Sequence, residues 1–223
     1  MKRLVLTTLV PLCLATPAPA QKKPDLAGEK VLADFAKCAV RAAPAQTRTV
    51  IDTLPDSADE KTQIDLLLQK QGGCLSLGPS LLDQQLQAQV NLGQLTPAQA
   101  LTQAMSTGTQ MVFTHRALRG ALAERLYLDL KDAPPAPTPE NASDATLPVG
   151  YSVVRCAVAR DPVSADRLVR AKRLSPEEAA AGKALAPTLN GCARGKGRID
   201  MSGTAIHGWA AEALYKQRTA GVR

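Results

Sequence analysis

The chain has 223 residues, 45% hydrophobic but only 3% aromatic, with 27 basic and 20 acidic side chains and a formal charge of +7. Aromatics this scarce offer few stacking platforms for nucleic acid, and no stretch, the N-terminal apolar run included, is long and apolar enough to cross a bilayer as a helix. The charge is uneven: residues 21–148 hold 12 basic and 14 acidic side chains, net −2, whereas 149–223 hold 13 and 6, net +7, which points to an anionic partner for the second half or to attraction between the halves.

Residues 1–20 read as a secretory signal peptide. Lys2 and Arg3 precede an apolar run from Leu4 to Ala15, and Ala18-Pro19-Ala20 forms a small-residue cleavage site. The expected location is therefore periplasmic or secreted. Removing Cys13 with this segment leaves Cys38, Cys74, Cys156 and Cys192, an even number in a compartment where disulfides persist.

A first helical unit is predicted over 21–131. Val31, Leu32, Phe35, Ala36, Ala39 and Val40 recur at helical spacing, predicting a helix that carries Cys38 and ends before Pro44. A short second helix is expected over 47–54, stopped by Pro55. Ser57 and Glu60 then form a capping box that opens a third helix, running through Ile64, Leu67 and Leu68 to the Gly72-Gly73 stop just before Cys74. A Gln-rich insertion follows, about 79–112, with one well-signalled helix behind Thr96-Pro97-Ala98-Gln99, where Pro takes the first helical position. Residues 114–131 read as a last helix, capped by Thr114.

Five prolines between 132 and 148 mark a solvated, semi-rigid linker. The second unit, 149–223, then repeats the plan, with helices expected over 151–160, 164–173, 176–190 and 203–218. The repetition is literal. Lys37-Cys38-Ala39-Val40 with Pro44 matches Arg155-Cys156-Ala157-Val158 with Pro162, and Ser57 to Glu60 matches Ser175 to Glu178. Gly120-Ala-Leu-Ala-Glu124-Arg-Leu-Tyr127 matches Gly208-Trp-Ala-Ala-Glu212-Ala-Leu-Tyr215. A duplicated module is the physical reading. Four cysteines allow three pairings, and the duplication selects Cys38 with Cys74 and Cys156 with Cys192; a four-thiolate metal site is the competing reading, disfavoured because the cysteines are not closely paired. With almost no period-two pattern, the expected fold is all-α: two tandem units packed around small cores, each stapled by one disulfide.

Catalytic signals are thin. His115 and His207 belong to no metal-binding or triad motif, and no cofactor motif is present. His207 reads as a half-exposed helix histidine. Glu124 and Glu212 recur with a Gly and a Tyr at fixed offsets, which argues for a structural role, such as holding a buried hydroxyl. Gly120 and Gly208 are helix-weakening residues kept at matching places, implying close approach of another helix, expected to be the cysteine-bearing one. The loop Arg194-Gly195-Lys196-Gly197-Arg198 alternates cations with glycines and is the candidate anion-binding element.

The Cys-Ala-Val opening, the Ser-x-x-Glu box, the Gly-Cys close and the Arg-Gly-x-x-Ala-Glu-x-Leu-Tyr ending resemble a group of small exported alphaproteobacterial proteins without an assigned activity. His207 departs from that ending, where the first unit has Arg119. The resemblance implies an exported, disulfide-bridged helical protein and carries no catalytic residues. The functional expectation is a non-catalytic binding or envelope-associated module whose partner is an anionic envelope component or another envelope protein. A small envelope-modifying, hydrolase-like enzyme using Glu124, Glu212 or His207 is the alternative.

Overall fold

A computed structural model describes residues 26–74, 84–107, 114–130 and 146–220. The expected signal peptide, the expected linker up to residue 145 and the rest of the expected insertion lie outside them. The described residues are all-α, with no strand among them. The first unit comprises α1 (Leu26–Ala42), α2 (Pro44–Asp52) and α3 (Ala58–Lys70), a short 3-10 turn (Gly72–Cys74), α4 (Gln84–Asn91), α5 (Pro97–Thr107) and α6 (His115–Asp129). The second comprises α7 (Val149–Arg160), α8 (Pro162–Arg170), α9 (Pro176–Ala193) and α10 (Gly203–Thr219).

The caps follow the repeat. Ser57 Oγ accepts the Glu60 N–H at 3.1 Å and Ser175 Oγ accepts the Glu178 N–H at 3.2 Å, each satisfying one of the free donors at a helix start. The glutamates reach back one residue beyond the cap, to the N–H groups of Asp56 and Leu174. Those two residues hold left-handed backbone angles, φ 64° and 60°, which non-glycine residues adopt rarely. Pro44 and Pro162 do more than end the preceding helix. Each is the first residue of the next one, so α2 and α8 begin earlier than the apolar spacing predicts. Likewise α9 continues through Pro187 to Ala193, past its expected end.

Two disulfides close the units, Cys38–Cys74 and Cys156–Cys192, with Cα separations of 5.5 and 6.0 Å. Each ties a first helix to the end of a third across 36 positions. In the chain-entropy model a loop of that length is worth about 4 kcal/mol per bridge.

The expected pair of small cores is instead one continuous core. It runs from Phe35, Ile51, Ile64 and Leu67 through Leu118 and Leu122 into Val154, Leu185 and Leu214. The reason lies in α10, where all nine residues from His207 to Tyr215 are buried. A helix covered on every side is central, and α10 packs against α6, α7 and α8 together. The insertion stands apart: α4 and α5 enclose a small cluster around Leu86 and Ala100, and α5 meets the first unit where Ala98 lies against Gly72.

The repeated glycines explain the seam. A Cβ added at Gly120 would lie 2.9 Å from the Gly208 Cα, and one at Gly208 would lie 2.8 Å from the Gly120 Cα. The helices α6 and α10 therefore cross backbone to backbone. The partner of each glycine is the other glycine, not the cysteine-bearing helix expected from sequence.

Candidate functional site

Beside this crossing sit two buried polar centres built from equivalent positions of the two units. The first surrounds Arg119 on α6, which is 1% exposed. Its Nε and Nη2 donate to the two carboxylate oxygens of Glu212 on α10, both at 2.7 Å, a forked pairing of the strong kind. The remaining donors reach the end of α2: Nη1 to the Val50 carbonyl at 2.8 Å and the Thr53 hydroxyl at 2.9 Å, Nη2 to the Ile51 and Thr53 carbonyls at 2.9 Å. Carbonyls in a last helical turn lack intrahelical partners, so Arg119 completes α2 as well as pairing with Glu212. Glu60, from the capping box, lies 3.7 Å from Nη1. The Tyr151 hydroxyl and the Lys216 ammonium also donate to Glu212, at 2.9 and 2.7 Å.

The second centre surrounds His207, the repeat counterpart of Arg119. It is 1% exposed and not the half-exposed histidine its sequence context suggests. Its Nδ1 lies 2.9 Å from Oε1 of Glu178, the counterpart of Glu60, and its Nε2 lies 3.2 Å from Oε2 of Glu124, the counterpart of Glu212. The Glu124 approach lies off the N–H direction, so this contact is an ion-pair attraction more than a directed hydrogen bond. Arg173 pairs with Glu178 and, at 3.1 Å, with Glu29 of α1, which also accepts the Thr204 hydroxyl at 3.2 Å.

Each centre is thus crossed between units: a basic residue meets the box glutamate of its own unit and the α6 or α10 glutamate of the other. A further cross-unit contact joins the Tyr127 hydroxyl to Asp166 of α8 at 2.6 Å, with Arg170 donating to the same oxygen at 2.7 Å.

Burial by itself pushes the Glu212 carboxyl up, but the hydrogen bond from Arg119 and the charges of Arg119 and Lys216 outweigh it and hold the carboxyl below the usual range. For Glu60 burial prevails over the more distant Arg119, and its carboxyl is raised. Burial opposes charge on His207, yet Glu124 and Glu178 outweigh it and raise the ring above its ordinary value. Burial and Glu212 push the Tyr151 hydroxyl far up, so it serves as a donor.

The predicted site residues therefore separate. Gly120, Gly208, Glu124, Glu212, Tyr127 and His207 come together at the junction. Arg194, Lys196 and Arg198 lie apart from it in an exposed loop, where Gly195 and Gly197 both take φ of +76°. Lys196 Nζ donates to the Ser152 hydroxyl at 3.3 Å, laying the loop over α7. His115 faces Asp65 at 3.5 Å, half-buried. Sequence reasoning missed Arg119, Tyr151 and the second task of the box glutamates. The available signal was that Arg119 and His207 precede the repeated glycines and that Glu60 and Glu178 recur with them.

Two carboxylates on opposite nitrogens of one imidazole cannot converge on a single ion, and among the described residues no group of three His, Cys, Asp or Glu side chains is arranged to hold a metal. None of the described helices is long and apolar enough to cross a membrane. No protein-family model, curated protein or solved structure matches the chain.

Proposed function

We propose that this protein is a non-catalytic, exported helical binding module of the cell envelope, and that its second unit engages an anionic partner through Arg194, Lys196 and Arg198. The carrying observation is how the ionisable residues are divided. The groups a hydrolase would use are engaged at the junction, where Glu212 and His207 are each 1% exposed and Glu124 is turned to His207. The three loop cations, in contrast, are on exposed residues, Lys196 also reaching the Ser152 hydroxyl. Two disulfides fit the oxidising compartment that a signal peptide at 1–20 implies.

Replacing Arg194, Lys196 and Arg198 together by Gln tests the binding surface. Retention on anionic envelope material at moderate salt is expected to fall steeply, and unchanged retention ends this reading. Glu124→Ala and Glu212→Ala separate the two functional classes. Each is expected to lower the melting temperature, whereas a catalytic glutamate would leave the melt nearly unchanged while abolishing an activity.

A further inference from the structure

Both ring nitrogens of His207 face carboxylate oxygens, Nδ1 toward Glu178 and Nε2 toward Glu124. A neutral imidazole carries one N–H, so with that proton on Nδ1 for Glu178 the ring would offer the anionic Glu124 oxygen, 3.2 Å from Nε2 and off its N–H direction, no charge to attract it. The doubly protonated ring suits both at once, a hydrogen bond to Glu178 and an ion-pair attraction to Glu124. The charges around it agree. Glu124 faces it from α6 and Glu178 from α9; Arg173, between α8 and α9, is shared by Glu178 and Glu29 of α1. On α8, Asp166 and Arg170 pair with each other beside Tyr127, and on α7 the Tyr151 hydroxyl is committed to Glu212. With the ring neutral, three carboxylates in this centre would face the single charge of Arg173.

The equivalent centre in the other half is filled by Arg119, which keeps its charge throughout the ordinary pH range. We propose that His207 is a proton-operated latch between the repeats: the charged ring clasps Glu124 of the first unit and Glu178 of the second, and loss of its proton loosens α6 and the start of α9 from α10. The Arg119 centre holds the other side of the same crossing shut at either pH. An exported protein meets the pH of its surroundings more directly than a cytosolic one, so the latch would report it.

The sign follows from linkage. A ring whose affinity for its proton is raised in the folded state stabilises the fold fully below its unfolded value of about 6.5, and the contribution disappears as pH rises through the folded value. The test follows the His207 ring resonances of the purified protein from pH 5 to 9.5, with His115→Gln to assign the two histidines, and compares melting temperatures of the parent and His207→Gln across the same range. The ring is expected to titrate above the ordinary histidine value, and the parent's advantage over His207→Gln, on the order of a few degrees at pH 6, is expected to shrink toward zero by pH 9.5. Hydrogen exchange at the start of α9 should quicken over the same interval more than at the end of α2. Titration at or below the ordinary value overturns the latch, as does a melting difference that stays constant with pH. If His207→Gln does not fold, the ring titration of the parent decides.

Discussion

The Arg119 and His207 centres occupy equivalent places, lean on equivalent glutamates and flank one glycine crossing, yet they are held differently. Arg119 has reach enough to fork onto Glu212 and to donate to two carbonyls of α2 and that of the following Thr53. His207 is shorter, with Nδ1 hydrogen-bonded to Glu178 and Nε2 beside Glu124 as an ion pair. One centre joins an ion pair to a helix cap and holds whatever the pH; the other depends on a proton. The same arrangement thus recurs at both centres, and in the latch proposed above it is the exchange of Arg119 for His207 that makes one of them respond to pH.

The sharpest way to break this comparison is to empty the first centre. Arg119→Met takes the forked partner from buried Glu212, leaving it Tyr151 and Lys216, and removes the Arg119 charge from Glu60 and the Arg119 donor from the Ile51 and Thr53 carbonyls; removing one partner of a buried pair costs about 3–5 kcal/mol. Chemical denaturation should show that loss, and adding Glu212→Leu should recover part of it, because the buried carboxylate that lost its forked partner is then gone. A loss below about 1 kcal/mol would mean that Arg119 is solvated in solution and that the two centres are not alike.

A smaller effect sharpens the comparison at the helix starts. Ser57→Ala and Ser175→Ala each remove the same cap, at about 1 kcal/mol. Urea midpoints of the two variants should shift by nearly equal amounts. Clearly unequal shifts would show that the boxes have diverged along with the residues they face.

The all-α class and the cysteine pairing were legible because both rest on spacing within a repeat: helical periodicity, capping boxes, and two thirty-six-residue intervals that a copied module would each close. What lies between the repeats was not. Gly120 looked like a site of close approach, but nothing in one copy says that the approaching surface is Gly208. Arg119 against His207 could be read as a departure from the pattern, yet its meaning needs the crossing, which brings Glu212 and Glu124 over from the opposite units. Helix α4 escaped notice because Leu86 and Val90 are the only large apolar residues in a run rich in Gln. The starts of α2 and α8 were misplaced because a proline that ends one helix is also a good first residue for the next.

The backbone crossing of α6 and α10 is what makes both shared centres possible, and glycine substitution tests it most directly. In Gly120→Ala and Gly208→Ala the new Cβ meets backbone atoms at 2.9 and 2.8 Å, so the helices must separate. Gly191→Ala, inside α9 with nothing within 4 Å of the added carbon, is the control. Thermal unfolding should show the two seam variants destabilised by about 1–3 kcal/mol, and the control unchanged or stabilised by up to about 1 kcal/mol. Seam variants as stable as the control would contradict the crossing, and with it the pairing of the two centres.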